Sequence, residues 1–523
     1  MDAGEWVRAC RESDLAEGVP KVVQVGDAAA YLVRLDGRLH AVANACPHYE
    51  CDLNEGALIR NEIVCKCHDA RFDVRTGRLL SPPALKNLAT YPVRVMDGEV
   101  WLGPAEKAAS PKVEGTDPAV FVIVGGGAAG NAAAETLRRE GFAGRVILLS
   151  AEEDGPYDRP NLSKEFLAGT AKAEWMPLRS RKFYETQRIE LRTGTKVSAV
   201  DPKSKTVTTA AGETIAFDKL LLATGAAPVA PAIPGAEGPG CFTLRSFADG
   251  RAVAAAAEGA KSVVLVGAGF IGLELASSFR ERGLAVTVVA PEPVPLGRLL
   301  GDRVGGFLKA AHEAAGVAFR LGATVGRIAG PVGAKLVVLS GGMELAADFV
   351  VFALGVRPVV DYLEGAGLVR GGEVPVDGRL ATAHPDIFAA GDLALVPSIG
   401  GAVRSEHWVV AERQGMHAAR SMLGSAAAYD EVPFFWTRQH KQGLHYVGSS
   451  RAWDETAVRG DIEAGKFLVG YYEKGRLAAA ASLGMSNALI AVEYLMRRNA
   501  APSAGQLADP SVDLLGLARA RSA

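Results

Sequence analysis

Short apolar runs broken by turn residues dominate the first hundred positions: Lys21–Val25, Ala30–Leu35, Leu39–Ala43, Val93–Met96 and Val100–Leu102. Such runs read as strands. The dipeptides Asp36-Gly37 and Asp97-Gly98 read as hairpin turns, because both residue types tolerate positive φ. A small all-β unit is predicted. Residues 104–118 (PAEKAASPKVEGTDP) show no apolar periodicity and predict a linker. The pattern changes at position 119. AVFVIVGGGAAG is a buried strand running into a glycine turn, followed by a helix over Asn131–Glu140 and a second strand over Arg145–Ser150. The same shape recurs about 140 residues later, as SVVLVGAGFIG, a helix over Leu273–Arg282 and a strand over Ala285–Ala290. Strand and turn patterning resumes over Asp377–Leu393. From Phe434 onward, aromatic and β-branched runs (FFW, LHYVG, FLVGYY, RLAAAASL) predict a C-terminal α+β unit. The tail after Ala500 lacks such a pattern and is expected to be loosely ordered.

Composition narrows the class. A chain of 523 residues holds about three or four domains at ~150 residues each. Hydrophobic residues at 49 % and charged ones at 22 % are ordinary for a globular protein and exclude a largely disordered chain. The net charge of −2 supplies no basic field for nucleic acid or anionic lipid. Met1-Asp-Ala-Gly-Glu-Trp lacks the basic and apolar regions of a secretory signal. The most apolar stretch, Ser262–Leu275, contains three glycines and Glu274 and is no membrane span. A cytoplasmic location is therefore expected. Glycine is high, at 60 residues or about 11 % against ~7 %, which suggests phosphate-binding turns. Of six cysteines, Cys10 and Cys241 stand apart, whereas Cys46, Cys51, Cys65 and Cys67 crowd one segment. In a reducing compartment such crowding points to metal or redox chemistry before a structural disulfide.

Cys46-x-His48, sixteen intervening residues and Cys65-x-x-His68 form the ligand layout of a Rieske [2Fe–2S] centre, where two thiolates hold one iron and two imidazoles the other. Zinc is the alternative for any set of two Cys and two His, but zinc-finger spacing groups Cys with Cys and His with His. Residues 5–103 resemble Rieske ferredoxin domains, through EWVRACRESDLAEG, DGRLHAVANACPHY, FDVRTGR and YPVRVMDGEVWL. The placing of Cys51 and Cys67 resembles the high-potential Rieske proteins of cytochrome bc complexes, and that resemblance implies a Cys51–Cys67 disulfide. Two buried free thiols are the alternative, which a reducing compartment favours. The high-potential proteins carry Ser and Tyr hydroxyls where Ala70 and Phe72 stand here. Without those donors to sulfur, a lower potential is expected.

Gly125-x-Gly127-x-x-Gly130 follows the first predicted strand of the α/β region and opens a helix. The first glycine makes the turn, the second admits a pyrophosphate and the third packs helix on strand, with the phosphate at the helix N-terminus. Glu152, past the second strand, is placed to bind a ribose. Gly267-x-Gly269-x-x-Gly272 has the same context. Its second strand ends in Ala290, so Glu292 is the nearest acceptor for a ribose 2′-hydroxyl. No Arg stands at the strand end for a 2′-phosphate, and NADH is favoured over NADPH. Further motifs are DRPNLSK (Asp158–Lys164), Leu222-Ala-Thr224-Gly225, Ala353-Leu-Gly355 with Arg357-Pro358, TAHPDIFAAGD ending in Asp392, and Glu406-His-Trp408. With them, the chain from 119 to about 500 resembles FAD-dependent pyridine-nucleotide reductases of the ferredoxin-reductase type. With its Rieske head the whole chain is similar to apoptosis-inducing-factor-like proteins. The Cys-x4-Cys pair that disulfide reductases of this superfamily carry after the first βαβ is missing, since that region reads PYDRPNLSKEFL.

The resemblance implies a multidomain chain. An all-β Rieske domain (1–103) and a linker (104–118) precede an α/β pair of domains, FAD-binding (119–245 and 375–430) and NAD-binding (246–374), and a C-terminal α+β interface domain (431–523). It places Lys164 near flavin N5 and Glu274 near the nicotinamide, each fixing the other by opposite charge. It puts Asp392 on the ribityl chain, Trp408 over the flavin or nicotinamide ring, Arg159 and Arg245 against FAD, and Thr224, Gly225 and Gly355 in nucleotide loops. His40, His312, His384, His417, His440 and His445 show no ligand spacing and receive no role. The implied activity carries electrons from NADH through FAD to the [2Fe–2S] cluster and on to an external acceptor, with the linker letting the head swing between flavin and partner. The other implied reading is an NADH-responsive redox sensor with slow turnover. The acceptor, a protein or a small oxidant, is encoded in no motif. Neither nucleic acid nor membrane is an expected partner, and a homodimer is left open.

Overall fold

The computed structural model describes residues 6–106, 113–398, 401–450 and 452–520. Three small antiparallel sheets form the N-terminal head. Val7–Arg11 pairs through Glu99–Leu102 with Val93–Met96. Lys21–Val25, Ala28–Leu35 and Arg38–Ala43 form a meander. Ala57–Ile59, Glu62–Val64, Arg71–Asp73 and Leu79–Ser81 form another. Gly37 and Gly98 turn two of the hairpins at φ of 72° and 74°, a conformation that costs glycine nothing. Much of the glycine excess is spread over such turns rather than over phosphate loops. Tyr31, Val33, Ile63, Phe72 and Val74 share the core beneath the cysteine loops. Of the expected linker, 107–112 lies outside the described residues. The rest carries no regular structure beyond a bridge from Glu106 to Thr90.

Two parallel sheets on one plan follow. The first runs Ile189–Arg192, Arg145–Leu149, Val120–Val124, Lys219–Leu222, Ile387–Ala389. The second runs Cys241–Thr243, Phe349–Phe352, Ser262–Val266, Ala285–Ala290, Val317–Leu321. Their central strands are continuous apolar runs because both faces are covered, in the second sheet by the helix after the glycine turn on one side and by a three-stranded antiparallel sheet (Val325–Ala329, Lys335–Leu339, Glu344–Ala347) on the other. The helices after the glycine turns span Ala128–Arg139 and Phe270–Glu281. Both begin ahead of the predicted Asn131 and Leu273, because Gly127 and Gly269 are themselves the N-caps. The second sheet also begins ahead of position 246. Cys241–Thr243 pairs in parallel with Phe349–Phe352, and three residues are too short a run for periodicity to register.

The C-terminal unit is a five-stranded antiparallel sheet in the order Phe434–Gln439, Gln442–Gly448, Arg476–Leu483, Lys466–Glu473, Glu455–Asp461, backed by the helix Ser486–Arg497. The tail corrects the sequence expectation of loose order. Ala504–Ala508 and Leu514–Ala520 are helices, Ser503 and Gln506 form a reciprocal cap, and Leu507, Leu514 and Ala518 are buried. Helices this short are not self-stabilising. Packing holds them, Ala504–Ala508 against the sheet and Leu514–Ala520 against the helix Ser486–Arg497 and the head strand Ala57–Ile59, and packing leaves little periodic trace over so few residues. Arg519 Nε donates to the Leu58 carbonyl at 3.0 Å and ties the tail to the head. Among the described residues no helix is long and apolar enough to cross a membrane. Leu507→Ala should cost about 2–5 kcal/mol, as for other fully buried leucines, and lower the urea midpoint. An unchanged midpoint would contradict the packed tail.

Candidate functional site

Two loops of the head carry the four expected iron ligands. Cys46 and His48 follow the strand Arg38–Ala43, and Cys65 and His68 lie between Glu62–Val64 and Arg71–Asp73. Each loop closes on itself in the same way. The Cys46 amide donates to the Cys51 carbonyl at 2.9 Å, and the Cys65 amide to the Ala70 carbonyl at 2.9 Å. The buried Cys46 and Cys65 thiols face each other within hydrogen-bonding range. His48 Nδ1 and His68 Nδ1 stand 3.1 Å apart. Two sulfurs and two imidazole nitrogens therefore converge, the donor set of a Rieske cluster. Burial pushes His48 down to about 4 and His68 well below its ordinary range. Both rings are neutral at physiological pH, the state a metal ligand requires. Cys51 and Cys67 are joined as a disulfide across the two loops. Cys65 Sγ lies within 4.8 Å of both their sulfurs, but only Cys46 and Cys65 remain free to bind iron. Ala70 and Phe72, both fully buried, offer no hydroxyl.

A cavity of about 610 Å³ runs between the two glycine turns. A Cβ at Gly125 would meet the Ala223 carbonyl oxygen at 2.1 Å, and one at Gly130 the Gly125 oxygen at 1.9 Å. At Gly127 it would meet nothing within 4 Å. The second motif repeats this. Gly267 and Gly272 are hemmed in by backbone oxygens at 2.3 and 2.1 Å, and Gly269 faces open space. Two glycines of each turn serve close packing and the middle one opens onto a helix N-terminus, which fits a pyrophosphate at each. Glu152, Arg159, Thr224, Gly225, Gly355, Asp392 and Trp408 line the same cavity. Glu152 accepts from Tyr157 Oη at 2.8 Å and from Arg159 at 2.7 Å. Asp392 pairs with Arg245 at 2.9 Å, and Thr224 Oγ1 donates to the Val359 carbonyl at 2.8 Å. Lys164 Nζ stands 2.7 Å from Glu274 Oε2 at the cavity wall. Ser163 donates to the same oxygen, and Thr437 Oγ1 donates to Oε1 at 2.7 Å. Glu292 lies outside the lining.

A second cleft, about 920 Å³, opens beside the cysteine loops and is lined by Tyr49, the Cys51–Cys67 disulfide, His68 and His445 among others. Pro160, Lys164 and Trp436 line both this cleft and the nucleotide cavity, and so form the wall between them. The Trp436 ring lies 4.4 Å from that of His68. Residues 120–415 match the pyridine nucleotide-disulphide oxidoreductase family, 5–92 the Rieske [2Fe-2S] domain and 434–518 the reductase C-terminal domain. The chain belongs to the pyridine nucleotide-disulphide oxidoreductase family. It is a ferredoxin-reductase-like NAD(P)H flavoprotein that carries FAD and a Rieske [2Fe–2S] cluster. It is 34 % identical to human apoptosis-inducing factor 3 over 91 % of this chain and 81 % of that one. It is 36 % identical to the anthranilate 1,2-dioxygenase system ferredoxin--NAD(+) reductase component of Burkholderia cepacia, over 75 % of this chain and 98 % of that one. The ferredoxin reductase for the CYP199A2 system from Rhodopseudomonas palustris superposes with a TM-score of 0.73 at 32 % identity, over 76 % of this chain and 99 % of that one.

The reductase body holds its head fast, which corrects the expectation of a swinging head. Asp69 and Arg71 of the head are buried together with Arg413 and Glu493 of the body, with the half-buried Glu431 beside them. Arg71 reaches Asp69 at 2.9 Å, Glu493 at 2.8 Å and Glu431 at 3.4 Å. Arg413 pairs with Asp69 and donates to Ser81 Oγ at 2.9 Å. Tyr49 Oη donates to Asp158 at 2.8 Å, and His445 Nε2 to the Cys67 carbonyl at 2.9 Å. Charges so deeply buried hold one geometry or none. Sequence reasoning missed Trp436, His445 and this whole ionic joint, whose members lie hundreds of positions apart. The only available signal was a tryptophan inside the run FFW.

Removing one partner of a buried pair costs about 3–5 kcal/mol. Arg413→Met should therefore release the head and raise the radius of gyration in small-angle scattering, and an unchanged radius would count against the joint. Burial alone would raise the Glu431 carboxyl, but Arg71, Arg413 and Arg497 outweigh it and hold it at about 2. A depressed acid contributes fully above its ordinary value and loses that contribution as pH falls through the depressed one. The contribution of Glu431 to docking should thus hold from neutral pH down to the ordinary carboxylate range and weaken below it, towards 2, whereas burial pushes the neighbouring Glu493 carboxyl up. In the cluster loop, Ala70→Ser with Phe72→Tyr should raise the midpoint potential in a redox titration. No shift would mean that the missing hydroxyls do not set it.

Proposed function

We propose that this chain takes electrons from NADH and delivers them through FAD and its own Rieske cluster to an external acceptor. FAD, when bound, splits a two-electron donation into single steps that a Rieske cluster can carry. The observation that carries this reading is the shared wall: Trp436 touches His68 on one side and lines the nucleotide cavity on the other. The missing Cys-x4-Cys pair supports it, because no cysteine among the described residues lines the nucleotide cavity to take the electrons. Cys46, His48, Cys65 and His68 hold the cluster. Gly125, Gly127 and Gly130 with Glu152, Arg159, Thr224, Gly225 and Asp392 hold FAD, and Trp408 covers a ring face. Gly267, Gly269, Gly272, Glu292 and Gly355 serve the nicotinamide nucleotide. NADH is favoured over NADPH because no arginine follows the strand Ala285–Ala290 directly, and the names of the reductase-component relatives point the same way.

Lys164 and Glu274 fix each other where donor and flavin meet. Their charges orient the reacting rings, and a buried pair with both carboxylate oxygens bonded resists reorientation. The acceptor approaches through the cleft, where Tyr49 is 48 % exposed at the rim. The match to human apoptosis-inducing factor 3 along most of the chain keeps a sensor role as the second reading. Fast, cluster-dependent turnover with ferricyanide or a cytochrome supports the enzyme, and slow turnover with an NADH-driven change in mass supports the sensor. In anaerobic stopped-flow with NADH, Trp436→Ala should leave flavin bleaching intact. It should slow the rise of the Rieske electron-paramagnetic signal by about tenfold or more, ~1.4 kcal/mol. Equal rates in both phases would remove Trp436 from the path.

A further inference from the structure

The strand Phe434–Gln439 turns Phe435, Thr437 and Gln439 towards the helix Phe270–Glu281, away from the head. Gln439 Nε2 donates to Thr437 Oγ1 at 3.2 Å, and Thr437 Oγ1 donates to Glu274 Oε1 at 2.7 Å. Gln439 Oε1 lies 3.0 Å from His312 Nε2, and His312 Nδ1 lies 3.0 Å from His440 Nε2. An amide oxygen only accepts, so His312 carries its proton on Nε2. A neutral imidazole has one N–H, so His312 Nδ1 accepts and His440 Nε2 donates. Every donor in the series then points one way, from His440 on the hairpin to the carboxylate of Glu274. Thr437, Gln439 and His312 are at most 1 % exposed. The His440 amide is bonded to Ser277 Oγ at 2.6 Å, on the helix that carries Glu274.

The other charged groups nearby are few. Arg280 is the charge felt at His440. Lys309 lies over the Phe319 ring, whose edge meets His312. Burial lowers both histidines, His312 to about 4, so both are neutral at physiological pH.

We propose that Thr437, Gln439, His312 and His440 are positioning residues, a one-directional hydrogen-bond chain that holds the Glu274 carboxylate, and through it the Lys164 ammonium, in one orientation. This rests on the reading that the Lys164–Glu274 pair serves the flavin. Ser163 and Lys164 both occupy Oε2, which leaves Thr437 as the donor to Oε1. A buried carboxylate oxygen stripped of its donor favours protonation. Aligned links polarise one another, so the far imidazoles act on the carboxylate without touching it. The chain is no proton wire, because an amide such as Gln439 does not pass a proton on as an imidazole does.

The test uses the holoprotein, with FAD and cluster in place. Two quantities are followed against pH: the visible flavin spectrum and the rate of flavin reduction by NADH. Glu274→Gln and Lys164→Met come first. If neither changes either quantity, the pair does not serve the flavin, and the proposal falls with that reading. If they do, His312→Leu, which breaks the chain three links from Glu274, should change the pH profile of both in the direction that Glu274→Gln changes it. It should also slow reduction by about twofold to thirtyfold, the range of mutations acting through a coupled network. His312→Gln, which keeps a donor in place of Nε2, should restore the native profile. His440→Phe at the outer end should act in the same direction and serves if His312→Leu fails to fold. Native profiles in the broken-chain variants, beside altered ones in Glu274→Gln, overturn the proposal.

Discussion

Arg71, Arg413 and Arg497 meet Asp69, Glu431 and Glu493 at the joint between the head and the reductase body. The arrangement at the redox centre depends on this joint. Burying charge is expensive and is offset only when each ion finds its partners at good geometry. An apolar joint of equal area would tolerate sliding. An ionic one does not, because a small slip leaves a carboxylate or guanidinium alone in a low dielectric. The joint therefore sets the placement of the cysteine loops against the body. That placement brings His68 to Trp436 and the Cys67 carbonyl to His445.

The strand Phe434–Gln439 makes use of that placement twice. Side chains alternate across a strand, so Trp436 faces the head and Arg438 the cleft beside it, while Phe435, Thr437 and Gln439 face the nucleotide-binding body. Trp436 is paired across the sheet with His445, so two of the residues that touch the cluster loops stand side by side. One six-residue strand thus abuts the iron ligands with one face and the Lys164–Glu274 pair with the other. A one-residue slip in register would exchange the two faces.

Several features were legible in the chain as written. Cys46, His48, Cys65 and His68 lie within one short segment, and metal spacing of that kind is local. The glycine turns are local too: strand, turn and helix follow one another directly and Gly130 packs on Gly125, although Gly125 itself packs against Ala223 of a distant strand. The folded tail was not legible, because Leu507 and Leu514 lie on helices too short to display a period. The locked head was not legible either, since a linker of Pro, Lys, Glu and Ala without apolar periodicity reads as freedom when nothing nearby reveals the joint. The six histidines given no role included three that do structural work. His312, His440 and His445 are partnered across the fold, not along the sequence.

The sequence by itself determined the kinds of chemistry present: a ligand set, two phosphate-binding turns, the absence of a dithiol beside them, and the order of the domains. Each of these depends on residues near one another in the chain, where spacing and backbone geometry are set by a few covalent bonds. Tertiary structure alone decided how those parts face one another. The contacts that do so pair Asp69 with Arg413, His68 with Trp436 and Glu274 with Thr437. Charge burial and strand register select such pairs only once the whole chain has packed, and no local pattern records them beforehand.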